Sequence, residues 1–148
     1  MKPKTAKEYK LVATESKEHF ERKKMTCSED CAKYIRQFFD SDIAIYESSF
    51  VLLLNQGNTT IGWVKLSQGG INGTVMDVQL VAKIAIESLA KSVVICHNHP
   101  SGQLFPSDAD KQITSLVKQG LKLFCIKLLD HVILTEDSYF SFLDEGLL

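Results

Sequence analysis

The apolar run Ser92-Val-Val-Ile-Cys96 leads straight into His97-Asn98-His99-Pro100, and that junction restricts the fold more than any other stretch of the chain. A short apolar run rich in β-branched residues reads as a buried strand. Strands send alternate side chains to opposite faces, so His97 and His99 leave this one on the same side. Pro100, Ser101 and Gly102 then turn the chain, and Pro106-Ser107 opens a helix running on through Ile113, Leu116 and Val117. Ser107 suits an N-cap, with Asp110 three residues on at capping-box spacing.

Two neutral imidazoles on one face suit zinc, which takes nitrogens at about 2.0–2.1 Å plus oxygen or sulfur ligands. The pair alone is weak evidence, because hydrogen bonds hold such histidines as often as metals do. Asp110 has two readings, a carboxylate that only caps a helix or a third ligand. They are compatible, since one oxygen can serve each role. Three protein ligands would leave a fourth position for water, which marks a catalytic rather than a structural site.

The combined spacing His-x-His-Pro-x6-Ser-x2-Asp resembles the JAMM motif of the JAB/MPN metalloproteases. His-Asn-His-Pro-Ser-Gly at 97–102 with Pro-Ser at 106–107 is similar to the RadC-like branch of that superfamily. The likeness continues through Glu47 to Asn55, Gly69-Gly70-Ile71-Asn72-Gly73-Thr74 and Leu128-Leu-Asp-His-Val-Ile133, covering roughly residues 28 to 148. It implies an α/β fold of JAB/MPN type, related to cytidine deaminases, with a central mixed sheet flanked by helices. It also implies that His97, His99 and Asp110 bind Zn2+, that Ser107 stabilises an oxyanion, and that Glu47 is general acid/base on the zinc-activated water. General chemistry agrees with those roles: zinc brings the pKa of water toward 7, a carboxylate can relay its proton, and a hydroxyl can stabilise developing charge. Glu87 is the competing acid, but Val81, Ile84, Ala85 and Leu89 mark the buried helix face and Glu87 lies off it. Some relatives carry an acid in the second strand, where this chain reads Trp63-Val64-Lys65. A base required there would leave a chain that binds metal and catalyses little.

The resemblance favours a zinc-dependent hydrolase of peptide or isopeptide bonds acting on a peptide or protein substrate. A DNA-repair-associated or DNA-binding role is the alternative. Longer RadC-like proteins carry an N-terminal helix-hairpin-helix region, whereas residues 1–26 here are short and lack the glycines of such hairpins. A non-catalytic MPN-type scaffold is a third class, but such modules lose motif residues and this chain keeps them. A cytidine deaminase is rejected: it would show His-x-Glu with a downstream Pro-Cys-x-x-Cys, whereas His97 here is followed by Asn98 and His99 and no Cys-x-x-Cys exists.

Length and composition set the frame. The 148 residues, 45% hydrophobic and 24% charged, suit one soluble domain, placed at 26–148 behind a charged lead over 1–25 that is expected to be partly disordered. The net charge of −1 offers no global attraction to DNA or membranes. The first 24 residues nevertheless hold eight Lys/Arg against four Glu, most simply a solvated lead. Cys27 and Cys31 fall in a helix without a second pair at zinc-finger spacing, and Cys96 and Cys125 read as core thiols. With no signal peptide or membrane-length apolar run, the expected setting is a reduced cytoplasm. Oligomeric state is not legible.

The remaining elements follow from pattern. A short edge strand is expected over 9–13 and a helix opened by Thr26-x-x-Glu29 carrying Cys31, Ile35, Phe38 and Phe39. Strands are expected over 43–54, doubly buried near 50–54, and over 60–67 after a turn at Asn55–Asn58. Gly69, Gly70 and Gly73 make a tight connection that lacks a phosphate-loop pattern. Asp77 caps a helix over 78–91, Gly120 ends the Ser107 helix, and strands follow at 122–128 and 131–135. A final turn or short helix holds Tyr139, Phe140 and Phe142. His131 reads either as a partner behind the ligands, as a substrate contact, or as a hydrogen-bonded structural residue, and His19 as solvated.

Overall fold

The computed structural model describes residues 6, 8, 10, 12–15, 20–39, 41–69 and 76–148. In chain order these form α1 (Ser28–Arg36), β1 (Ser48–Leu54), β2 (Thr60–Gln68), α2 (Val78–Glu87), β3 (Ser92–Asn98), α3 (Asp108–Lys122), β4 (Lys127–Leu134) and β5 (Tyr139–Ser141). The five strands build one sheet in the order β2-β1-β3-β4-β5. Only β3 and β4 run parallel, joined by α3 as the crossover, and the other neighbours are antiparallel. This is the mixed α/β sheet flanked by helices that the sequence implies.

The two central strands explain the layering. Every residue of β1 and of β3 is buried, as a strand covered on both faces requires. Even-numbered Phe50, Leu52, Leu54, Val94 and Cys96 pack with Cys31 and Ile35 of α1 and with Phe38 just beyond it. Odd-numbered Val51, Leu53, Val93 and Ile95 meet Val81 and Ala85 of α2 and Val117 and Leu121 of α3. Truncating a core leucine such as Leu52 to alanine should cost about 2–5 kcal/mol. Parity therefore sends His97 to the α3 side and Cys96 to the α1 side.

Several boundaries differ from expectation, each for a local reason. The strand expected from residue 43 starts at Ser48, because Ile45 and Tyr46 donate their backbone N–H groups to Asp42 O and form turns. Thr26 bonds Asp30 rather than Glu29, through both its N–H and its hydroxyl, and the helix begins at Ser28 behind an uncapped Cys27. Helix α2 ends at Glu87: Ala90 N–H reaches Ala85 O and Leu89 N–H reaches Ile86 O around a left-handed Leu89 (φ 57°), a Schellman ending. Leu89 is consequently 80% exposed rather than on the buried face. The same pattern ends α3, where Cys125 (φ 57°) is left-handed and exposed, not a core thiol. Gly120 lies within α3 rather than ending it; a Cβ there would stand 3.3 Å from Val78 Cγ1, so glycine lets α2 and α3 approach.

Of the strand expected at 122–128 only Lys127 and Leu128 are extended, because α3 runs to Lys122 and its ending occupies 123–126; they join the strand expected at 131–135 in one strand, β4, with Leu129 and Asp130 accommodated inside it. Asp130 accepts from Ser141 Oγ, Leu143 N and its neighbour His131 N. Tyr139 and Phe140 belong to β5 rather than to a turn or helix. Much of the lead over 1–25 lies outside the described residues, as do His19, Gly70 and Gly73. So do parts of the edge strand expected over 9–13, of which Lys10, Val12 and Ala13 are in no strand. Among the described residues no helix is long and apolar enough to cross a membrane.

Candidate metal centre

The centre forms where β3 ends and α3 begins. His97 pairs with Ser49 of β1 and Ile133 of β4, which fixes its height in the sheet. His99 N–H continues the ladder onto Leu134 O at 2.8 Å. The chain then turns back, Gly102 N–H closing onto His99 O at 3.0 Å with φ 79° at Gly102. That left-handed angle asks for glycine on conformational grounds, since a Cβ there would meet nothing within 4 Å. Ser107 caps α3 with a complete capping box: Asp110 N donates to Ser107 Oγ at 3.1 Å, and Ser107 N donates to Asp110 Oδ2 at 2.7 Å.

Three side chains from these two elements converge. His97 Nε2 lies 3.0 Å from His99 Nε2 and 3.1 Å from Asp110 Oδ1, while His99 Nε2 lies 3.6 Å from Asp110 Oδ2. One ligand atom from each residue falls within 4.8 Å of the others. His99 Nδ1 lies 2.6 Å from Gln103 O, and a carbonyl only accepts, so Nδ1 carries the hydrogen and Nε2 turns a lone pair inward. Lone pairs and a carboxylate aimed at one point repel unless positive charge sits among them. Protons on the Nε2 atoms or a divalent cation satisfy that need, and two imidazoles with one carboxylate is a donor set that suits zinc. Burial works against an ionised Asp110, yet the facing His97 and His99, with Ser107, hold its carboxyl well below the usual range. Asp110 in turn raises His99, opposed by burial and helped by the Gln103 carbonyl and the charge of Glu47.

Glu47 stands half-buried immediately before β1. It lies two residues before Ser49, the partner of His97, and near enough for its charge to raise His99. Its backbone O accepts from Gly69 N at 2.8 Å, anchoring the strand entrance. Glu87, by contrast, is exposed at the end of α2 and pairs with Lys83 at 3.4 Å. Ser107 is beside the centre, but its hydroxyl proton is engaged with Asp110 Oδ2 at 2.7 Å. Burial pushes the Cys31 thiol up to about 12 and Cys96 well above its ordinary value, so neither supplies a thiolate.

Two supporting groups escaped sequence reasoning. Asn98, fully buried between the histidines, accepts from Ser48 N at 2.7 Å and donates to Ile43 O at 2.5 Å and Tyr46 O at 2.8 Å. It clamps the segment that carries Glu47. Its one sequence signal was a carboxamide at a position of β3 facing away from the metal side, where only a bonded one can be buried. Thr114 is the second, a hydroxyl on the inner face of α3 that bonds His131 Nδ1 at 2.6 Å and Asp110 O at 2.5 Å. His131 itself lies behind His97, its Nε2 2.9 Å from His97 Nδ1 and its ring stacked on Phe142 at 4.6 Å. Burial, with the charge of His97 beside it, lowers His131 well below its ordinary pKa.

A family model described as RadC-like JAB domain matches residues 25–147. The chain is 47% identical over 125 residues to a UPF0758 protein of Flavobacterium johnsoniae, covering 84% of this chain and 54% of that protein. A UPF0758 protein of Porphyromonas gingivalis is 45% identical over 103 residues, covering 69% of this chain and 45% of its own length. Another, from Shewanella pealeana, is 35% identical over 138 residues, covering 92% and 60%. The chain thus spans about half the length of the curated relatives it matches.

Proposed function

Because this chain belongs to the RadC-like JAB domain family, we propose that it is a zinc-dependent hydrolase of peptide or isopeptide bonds. The observation that carries this reading is the convergence of His97 Nε2, His99 Nε2 and Asp110 Oδ1 on one point at the mouth of the sheet.

In this proposal His97, His99 and Asp110 would hold the ion. When bound, zinc supplies Lewis acidity, which makes a water more acidic and polarises a carbonyl. Glu47, whose charge reaches His99, takes the proton of the attacking water on a carboxylate oxygen and delivers it to the leaving nitrogen. Ser107 turns its hydroxyl from Asp110 Oδ2 toward the oxygen that gains charge as the carbonyl becomes tetrahedral, a donor role commonly worth several kcal/mol. Asn98 fixes the segment from which Glu47 projects, so the proton acceptor is positioned before substrate arrives. The net charge of −1 gives the DNA-associated alternative no comparable support.

The test is metal content joined to a chelator-controlled screen of peptide and isopeptide libraries. Purified protein should take up close to one zinc per chain, His97→Ala should abolish uptake, and cleavage should disappear with chelator. Glu47→Gln should keep the zinc and lose turnover. Zinc retained by His97→Ala would refute the ligand assignment, and undiminished cleavage by Glu47→Gln would move the base elsewhere.

A further inference from the structure

Behind His97 runs a chain of hydrogen bonds whose directions follow from its far end. Thr114 Oγ1 lies 2.5 Å from the backbone O of Asp110. A carbonyl has no hydrogen to offer, so the single hydroxyl proton of Thr114 points at Asp110, a familiar bond of a helical threonine to the residue four back. Thr114 Oγ1 must therefore accept at its other short contact, 2.6 Å to His131 Nδ1. Nδ1 of His131 then carries the hydrogen. In a neutral ring that leaves Nε2 as a lone pair, facing His97 Nδ1 at 2.9 Å. His97 Nδ1 is consequently the donor, and His97 Nε2 turns its own lone pair toward His99 and Asp110.

We propose that His131 and Thr114 are positioning residues that fix the tautomer and ring orientation of His97 for metal binding, an inference that rests on the metal-centre reading above. The relay is closed on itself: it starts on the backbone of Asp110 and ends on the residue whose Nε2 meets the Asp110 side chain 3.1 Å away. One helix turn thus supplies both a ligand and the acceptor that orders another ligand's proton. A histidine fits the middle position because it accepts on one edge and donates on the other without charge. A carboxylate at that fully buried place would hold Nδ1–H of His97 equally well, but would face the Thr114 hydroxyl already spent on Asp110. Stacking on Phe142 holds the ring plane, with 12° between the two rings.

The experiment measures zinc dissociation constants by chelator competition alongside imidazole 15N NMR of the zinc-loaded protein. The wild type should show His131 as the Nδ1–H tautomer; an Nε2–H His131 would overturn the proposal. His131→Gln keeps a carbonyl oxygen near the place of Nε2 and should bind zinc within about threefold of wild type. His131→Phe preserves ring volume and stacking but removes the acceptor, and should weaken binding about 10–100-fold, the usual scale for groups behind a ligand. A purely structural role predicts the reverse, with Phe at least as good as Gln. Should His131→Phe fail to fold, Thr114→Val decides: it should release the His131 tautomer into a mixture and weaken zinc binding, and an unchanged tautomer with unchanged affinity overturns the proposal. Wild-type protein that takes up no zinc would end the metal reading and this inference together. Tight wild-type binding with equal affinity in His131→Phe would end this inference alone.

Discussion

Asn98→Ala should separate the architecture of the centre from its metal affinity. The side chain makes three hydrogen bonds, one to Ser48 N–H and two to the carbonyls of Ile43 and Tyr46. Ser48 is buried at 3% exposure, so its orphaned N–H should cost about 1–3 kcal/mol. The two carbonyls lie on a half-buried and an exposed residue, where water can replace the amide; each lost bond there should cost about 0.5 kcal/mol, the low end for a net hydrogen bond. The total is about 2–4 kcal/mol. Urea titration in the presence of chelator reads this directly, with the slope checked against wild type to exclude a change in the unfolded state. Zinc affinity should fall little, because the ligands are held by the β3–β4 ladder and the α3 cap, whereas turnover should fall strongly as Glu47 loses its anchor. A stability loss below about 0.5 kcal/mol, the range of an ordinary surface change, would refute the clamp, as would turnover that tracks zinc affinity alone.

Asp110→Asn keeps a carbonyl oxygen for Ser107 N–H, so circular dichroism and thermal midpoint should stay close to wild type. Zinc affinity, measured by chelator competition, should drop by more than the ~100-fold typical of groups behind a ligand. Burial raises Asp130 above its ordinary range despite hydrogen bonds from Ser141, Leu143 and His131. A carboxyl whose pKa is raised on folding favours the native state most below its unfolded value of about 3.9, and that stability declines as pH rises through the folded value. Asp130→Asn can keep both backbone donors on Oδ1 and donate to Ser141 from Nδ2. Its stability relative to wild type should therefore grow as pH rises from about 4 and then level off; a difference that shrinks over that window would reverse the assignment.

The core of the centre was legible because its grammar is local. Two-residue alternation places His97 and His99 together, and a capping box places Asp110, all within one strand-turn-helix passage. What supports them was less so, because it is held at long range: Asn98 reaches 50 residues back to Ser48 and was missed, and His131, read as one of three possibilities, meets His97 at a separation of 34. Asp130 fell in an expected gap between strands, just before His131, for the same reason. The pair's hydrogen-bond partners arrive from β5 and α3, and without them a polar pair inside a strand is unfavourable. Leu89 and Cys125 hid the helix ends, since each adopts the left-handed conformation that glycine would have advertised. The expected break at Gly120 failed because that glycine serves the contact with Val78 instead.

The turn through Gly102 and Gln103 leaves His99 and rejoins the body at Asp110, so an ion gripped by both ends would work as a buckle on a strap. Closing so short a span asks little chain entropy, and the strap's backbone already touches the His99 ring through Gln103 O. Metal occupancy would then be written into the strap's resistance to proteolysis, with the exposed Phe105 the first place where an unbuckled protein is cut.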